Sequence, residues 1–381
     1  MSIWGPAPAP PTKLGRYRIL SLNAGVRVSP LQLGAMSIGE KWSGMMGPMD
    51  KESSFKLLDA YYEAGGNFID TANLYQDEQS EEWLGEWMEE RGIRDQLFLA
   101  TKYTNNFKRG DDRVTQKIMY VGNGTKSLHL SVEASLKKLQ TSYIDLFYVH
   151  WWDYETSIEE VMRSLHTLVL ARKVLYLGVS DTPAWVVAKA NQYARDHGLT
   201  PFCIYQGMWN VMDRDFEREI IPMARSEGLA LAPWGVLAGG KLRTDAEEEA
   251  RAKSGEYRKM VPGFERTEKE KRVSRALEKV AGEVGTKHIT AVAIAYLLHK
   301  VPYVFPLIGG RKVEHLLANV EALDISLSDE QMKELEAASE LDLGFPGSLI
   351  GTGPEGGWMM ASVGTVEKPL VLKPHTLVAC A

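Results

Sequence analysis

Four side chains able to carry a proton transfer sit at, or just past, the ends of apolar strand-like runs. Asp70 closes the run Asn67-Phe68-Ile69-Asp70, Lys102 closes Leu97-Phe98-Leu99-Ala100-Thr101-Lys102, and His150 closes the run that begins at Ile144. Tyr75 follows Asp70 by five residues, in the loop beyond its run. A phenol with an ordinary pKa of about 10 is a weak acid at neutral pH, and a neighbouring ammonium lowers that value by favouring phenolate. Lys102 has the charge to act on Tyr75 in this way. Asp70 can keep Lys102 protonated and in position, and His150 can hydrogen-bond the oxygen that receives the proton. Singly, an Asp-x4-Tyr spacing, a strand-end lysine or a core histidine is ordinary. On successive strand ends the four define one site.

The elements that must position them form a regular rhythm. Further strand-like runs are Val174–Ser180, Phe202–Gln206, Leu229–Pro233 and Tyr303–Leu307, and Val26–Leu33 supplies a first strand, which makes eight. Helical stripes separate them: Leu128, Val132, Leu136 and Leu139; Ile158, Val161, Met162, Leu165, Leu168 and Val169; Val313, Leu316, Leu317 and Val320. Ser157 with Glu160 reads as a capping box, and Thr182-Pro183 as a helix start with proline in the first turn. Nearly all-apolar strands alternating with helices imply a parallel sheet covered by helices. A doubly wound sheet that binds a dinucleotide would carry a G-x-G-x-x-G turn after a strand, and neither that nor a P-loop occurs. The expected class is therefore α/β, a (β/α)8 TIM barrel with its active site at the C-terminal ends of the strands. Ser180 and Gln206 end strands at that same mouth.

The flanks differ in composition. Residues 1–25 read as a Pro-rich arm carrying Pro6, Pro8, Pro10 and Pro11, residues 26–340 as the barrel, and residues 341–381 as a Gly-rich tail that includes Gly351-Thr352-Gly353-Pro354-Glu355-Gly356-Gly357. The charged stretch from Leu242 to Lys271 interrupts the rhythm and reads as a lid. Of 381 residues, 44% are hydrophobic and 25% charged, as in ordinary globular proteins. A net charge of −6 and a pI of about 5.9 argue against a broad nucleic-acid surface. Two cysteines, Cys203 and Cys380, make neither a disulfide framework nor a Cys-rich zinc site, and the eight histidines show no paired metal-ligand spacing, so no metal is expected. No run of about 18 apolar residues suggests a membrane span, and no signal peptide is visible near Met1. The expected location is the cytoplasm, and a homo-oligomer stays open.

The chain is similar to the aldo-keto reductases, and within them most resembles the fungal aryl-alcohol dehydrogenases. The residues that carry the resemblance are Phe68-Ile69-Asp70-Thr71-Ala72-Asn73-Leu74-Tyr75, Thr101-Lys102, His150-Trp151-Trp152-Asp153-Tyr154, Tyr176-Leu177-Gly178-Val179-Ser180-Asp181-Thr182-Pro183-Ala184-Trp185 and Phe305-Pro306-Leu307-Ile308-Gly309-Gly310-Arg311-Lys312. It runs from about Val26 to Ser339. It implies Asp70, Tyr75, Lys102 and His150 as a catalytic tetrad, and NADP(H) held without a dinucleotide-binding domain of the doubly wound kind. It further implies Ser180 and Gln206 at the carboxamide, Gly34, Ala35 and Met36 on the ribose side, and Gly239, Gly240 and Lys241 over the pyrophosphate. Arg311, Lys312, His315 and Asn319 fall at the 2′-phosphate. The residues support that last assignment independently, because Gly309-Gly310 precede a helix start, and free N–H groups there attract anions. Asp181 stands where many members have an asparagine at the nicotinamide amide, and Leu231 where others have an aromatic ring, with Trp234 nearby as a substitute.

For the substrate, Trp42, Tyr103, Trp151, Trp152 and Trp234, with Met36, read as an apolar pocket for a flat ring. The resemblance implies reversible reduction of aldehyde or ketone carbonyls to alcohols, aryl aldehydes foremost, with Tyr75 supplying the proton. A polyketide or quinone carbonyl of fungal secondary metabolism is an alternative substrate, and a non-catalytic NADPH-sensing barrel an alternative role. A glycoside hydrolase using Asp70 and Asp153 would leave Lys102 and Tyr75 unexplained.

Overall fold

A computed structural model describes Gly5, residues 7–254 and 265–353, and residues 362–365, 367 and 374 near the C-terminus. Two strands, β1 (Arg18–Ser21) and β2 (Ala24–Val28), pair antiparallel. Eight more form one parallel sheet: β3 (Gln32–Gly34), β4 (Phe68–Asp70), β5 (Phe98–Tyr103), β6 (Ile144–Val149), β7 (Val174–Ser180), β8 (Phe202–Met208), β9 (Ala230–Trp234) and β10 (Leu307–Ile308). From β3 to β9 the strands pair in sequence order, and β10 returns to β3. Closure is completed beside β9, where Leu231 N–H donates to the Tyr303 carbonyl and Phe305 N–H donates to the Leu231 carbonyl. This is the (β/α)8 barrel.

Every residue of β5 and β6 is buried, because one face meets the barrel interior and the other the helix layer. Two cores follow. Phe68, Phe98, Ala100, Leu146, Tyr148, Ile204, Ala230 and Phe305 fill the barrel, while a larger cluster lies between strands and helices. Glycine at 178 is what lets the Tyr148 ring lie inside, since a Cβ there would come within 2.5 Å of that ring. The helices bury the expected stripes: Ile158, Val161, Met162 and Leu165 in the helix Ile158–Leu170, and Leu128 and Val132 in Thr125–Lys138.

Several local features differ from the sequence reading. Val26–Leu33 is not one strand. Val26 to Val28 belong to the hairpin, Ser29-Pro30 breaks the run, and the first barrel strand begins only at Gln32. The stretch read as a Pro-rich arm over residues 1–25 therefore carries most of a hairpin. Leu20, Ala24 and Val28 join the interior cluster at the N-terminal ends of the strands, so the hairpin plugs the barrel floor. Ser157 caps its helix by accepting the Glu160 N–H, but no capping box forms, because Glu160 Oε1 accepts instead from the Thr125 amide and hydroxyl. Pro183 is the N-cap of the helix Ala184–Asp196 rather than part of its first turn. The stretch from Leu242 to Lys271 is helical at Asp245–Ser254 and again from Glu268, while residues 255–264 of the expected lid lie outside the described residues, as does most of the tail. Among the described residues, no helix is long and apolar enough to cross a membrane, and no group of three potential metal ligands occurs.

Candidate active site

Strand register brings the site together. Gly34 pairs with Asp70, Asp70 with Ala100, Lys102 with Tyr148, and Ser180 with Gln206, so polar residues that end apolar strands meet at one mouth. Lys102 is fully buried, and its Nζ lies 2.5 Å from Asp70 Oδ1 and 2.8 Å from the Thr71 carbonyl. The other Asp70 oxygen accepts Gln206 Nε2 at 3.0 Å. The Lys102 ammonium is flanked by the rings of Tyr75 and Tyr148, 5.3 and 5.5 Å from their centroids. Tyr75 and His150 stand edge to face, centroids 6.0 Å apart, and the Trp42 ring meets Tyr75 at 6.2 Å. His150 Nδ1 lies 2.9 Å from Asn105 Nδ2, and Trp151 Nε1 donates to Asn105 Oδ1 at 3.0 Å. The structure thus gathers all four members of the expected tetrad.

Its electrostatics differ from expectation in one respect. The Tyr75 phenol is pushed well above its ordinary value, first by burial and then by the Asp70 and Asp181 carboxylates. Lys102 was expected to lower it, but its charge is taken up by the ion pair with Asp70. Burial itself pulls the Lys102 ammonium down, against the support of Asp70. His150 is held well below the usual histidine value by burial and by Lys102, so it is neutral at pH 7. The result is a protonated phenol and a neutral imidazole, both able to donate, beside a buried ion pair.

These groups line one end of a cavity of about 1000 Å³. Asp70, Tyr75, His150, Ser180, Asp181 and Gln206 form that end, with Gly34, Met36, Trp42 and Trp234 on the walls. The other end carries Gly239, Gly240, Lys241, Gly309, Arg311, Lys312 and His315. Gly239 and Gly240 both adopt left-handed backbone, φ +63° and +89°, which a side chain would strain. Burial depresses the His315 imidazole pKa. Arg311 Nη1 donates to the Pro48 carbonyl at 3.2 Å, and Lys241 Nζ to the Glu265 carbonyl at 2.9 Å.

Besides the fully buried Lys102, six expected residues lie off the cavity wall. Ala35 is buried and gives its carbonyl to Ser80 Oγ. Leu231 points into the layer between strands and helices, and Trp234, three residues on, lines the cavity instead, its Nε1 donating to Asp181 Oδ1 at 3.2 Å. That bond engages the Asp181 carboxylate, which therefore does not cap the following helix; burial also raises its pKa. Asn319 is buried on the helix Val313–Val320, one turn past His315. Tyr103 stacks on Phe147 at 5.5 Å and donates its hydroxyl to the Asn123 carbonyl, and Trp152 packs in the outer core. Trp151 is held by Asn105. The cavity also includes Asn105, Met208, Asn210, Arg243 and Arg251, which the sequence reading passed over. Arg243 and Arg251 fall in the charged stretch read only as a lid. Asn105 carried one usable signal, its place just past a strand end.

The fit of a nicotinamide dinucleotide can be tested on the residues themselves. Ser180 Oγ is buried and, apart from the neighbouring Asp181 carboxylate, has no hydrogen-bond partner among the described residues, an arrangement that a ligand amide would satisfy. Gln206 has committed its Nε2 to Asp70, which leaves its carbonyl oxygen to accept. The far end offers cations and a helix start for phosphate. The donors fit.

A (β/α)8 barrel with an ion-paired lysine and a protonated tyrosine at the mouth of a long, part-cationic cavity defines a class of enzyme, and comparison of the sequence with known proteins agrees. A profile of the Aldo/keto reductase family matches residues 30–340. An aryl-alcohol dehydrogenase [NADP(+)] of Phanerodontia chrysosporium is 62% identical over 374 residues, 97% of each chain. A norsolorinic acid reductase of Aspergillus flavus is 56% identical over 345 residues, 90% of this chain and 86% of the other. An aldo-keto reductase of Aspergillus calidoustus is 51% identical over 354 residues, 93% and 89% of the two chains. The chain belongs to the aldo/keto reductase family and is an oxidoreductase.

Proposed function

We propose that this enzyme uses NADPH to reduce aldehyde or ketone carbonyls, aryl aldehydes foremost, and in reverse oxidises the alcohols. The observation that carries this reading is the Asp70–Lys102 ion pair lying against Tyr75, with His150 alongside, at one end of a cavity whose other end is cationic. NADPH held along this cavity would supply the hydride chemistry. Tyr75 holds a proton at its phenol oxygen and releases it to the developing alkoxide. His150 aims the carbonyl oxygen by donating from its ring. Lys102, fixed by Asp70 and the Thr71 carbonyl, keeps positive charge beside the phenol as its proton leaves. Ser180 and the Gln206 carbonyl orient the carboxamide, with Asp181 as a further acceptor, and Trp234 presents its ring at the same end. Arg311 and Lys312 would neutralise the 2′-phosphate and His315 would hydrogen-bond it, while Gly34, Met36, Gly239, Gly240 and Lys241 would let the backbone approach the ribose and pyrophosphate.

Trp42 and Met36 offer an apolar wall beside Tyr75, suited to an aryl ring. A larger planar ketone is the second reading. It is favoured by the norsolorinic acid reductase at 56% identity and by the rim residues Met208 and Trp234, 49% and 37% exposed. The test is consumption of NADPH and of NADH by the purified protein with a panel of benzaldehydes and polycyclic ketones. Turnover of benzaldehydes that prefers NADPH supports the reading. Tight NADPH binding without turnover of any carbonyl would mark a sensing barrel instead.

A further inference from the structure

The nitrogen of His150 that carries the proton is determined by two side chains outside the tetrad. An indole N–H only donates, so the Asn105 oxygen 3.0 Å from Trp151 Nε1 is an acceptor and the Asn105 amide is oriented by that bond. Reversing the amide would set donor against donor. Its nitrogen therefore faces His150 Nδ1, at 2.9 Å, and being a donor only it requires a bare lone pair there. A neutral imidazole with Nδ1 bare carries its proton on Nε2. No described residue bonds Nε2, and the ring lines the cavity beside Tyr75. We propose that Trp151 and Asn105 form a relay that holds His150 as the Nε2–H tautomer, so that His150 presents a hydrogen-bond donor to the substrate oxygen. The inference rests on the reading of the site given under Proposed function.

The surrounding backbone is shaped for this arrangement. Thr104 adopts φ +100°, a conformation that β-branched residues rarely take, and the turn carries Asn105 off the end of β5 and over the mouth. Gly122 N–H donates to the Thr104 carbonyl at 2.8 Å. Asn123 Nδ2 donates both to Thr104 Oγ1 and to the Trp151 carbonyl, at 3.0 Å each, so one side chain ties together the two segments that bear the relay. The His150 amide donates to Thr104 Oγ1 at 3.3 Å. Burial and the Lys102 charge keep His150 neutral, the state in which a tautomer choice exists. Asn105 and Trp151 are positioning residues, acting through His150.

Long-range 1H–15N NMR of histidine-labelled protein, with and without NADP+, reads the tautomer directly, and a His150→Gln variant assigns the signals. The expected pattern at neutral pH is Nε2–H. In Asn105→Asp the carboxylate accepts from Nδ1, so the signals shift to Nδ1–H, Nε2 loses its proton, and kcat with an aryl aldehyde falls at least ~10-fold while NADPH affinity stays within ~2-fold. Trp151→Phe keeps the ring but frees the amide to turn, giving mixed tautomers and a smaller loss. An Nδ1–H pattern in the unaltered protein overturns the proposal, and this measurement needs no variant to fold. A switched tautomer in Asn105→Asp with turnover unchanged overturns its catalytic half. Full activity of Tyr75→Phe would sink the underlying functional reading instead, while leaving the tautomer result standing.

Discussion

Lys102 has no route to solvent, and its charge is tolerated because Asp70 and the Thr71 carbonyl surround it. Removing one partner of such a pair strands the other: Lys102→Met should cost ~3–5 kcal/mol, read as a fall in denaturant midpoint. Asp70→Asn combined with Lys102→Met should recover most of that loss, whereas equal losses in single and double variants would mean the pair is not what the change disturbs. His150 sets a pH dependence. Its folded pKa lies below the unfolded value of about 6.5, so the unfolded chain binds the extra proton first. Its contribution to stability is present above about pH 6.5 and is lost as pH falls toward the depressed value. His150→Gln should therefore flatten the slope of Tm against pH below about 6.5, and an unchanged slope would show that the imidazole is not held neutral. At the cationic end, Arg311→Glu should weaken NADPH far more than NADH in a fluorescence titration, and equal losses would remove the residue from the 2′-phosphate.

The clustering of Asp70, Lys102 and His150 with Tyr75 was legible because each strand-borne member is a polar residue closing an apolar run, a pattern with few physical explanations. Strand alternation accounts for the misplacement of Tyr103 and Leu231. Successive side chains point to opposite faces, so with Lys102 inside the barrel Tyr103 must face the helices, where it stacks on Phe147. A reading by proximity in sequence put both at the mouth. Likewise β9 extends one residue past the expected end at Pro233, and the ring that lines the cavity is Trp234, not Leu231. Pro30 within Val26–Leu33 was the available sign that a hairpin and a barrel strand had been joined. The hairpin gives a prediction of its own. Leu20→Ala should cost ~2–5 kcal/mol of stability by opening a cavity at the barrel floor, with kcat per folded molecule unchanged. A loss of kcat at full stability would mean the hairpin reaches the mouth.

At the scale of the whole molecule, one cavity joins a proton-donating end to a cationic end. Barrel rhythm was readable in the sequence because eight buried strands between amphipathic helices leave few other solutions. Which residues from the segment after β9 turn inward was not, since Arg243 and Arg251 differ from their charged neighbours only in where the fold aims them. A ligand that fills such a cavity stabilises the fold by mass action, so NADPH at 100 times its Kd should add ~2.7 kcal/mol, and NADH at the same concentration clearly less. The most direct test of the whole account is single-turnover hydride transfer from NADPH to a benzaldehyde, followed by stopped flow in the unaltered enzyme and in Tyr75→Phe. The account predicts a rate at least ~100-fold slower in the variant with NADPH affinity nearly intact. An undiminished rate would show that another group delivers the proton and would contradict it.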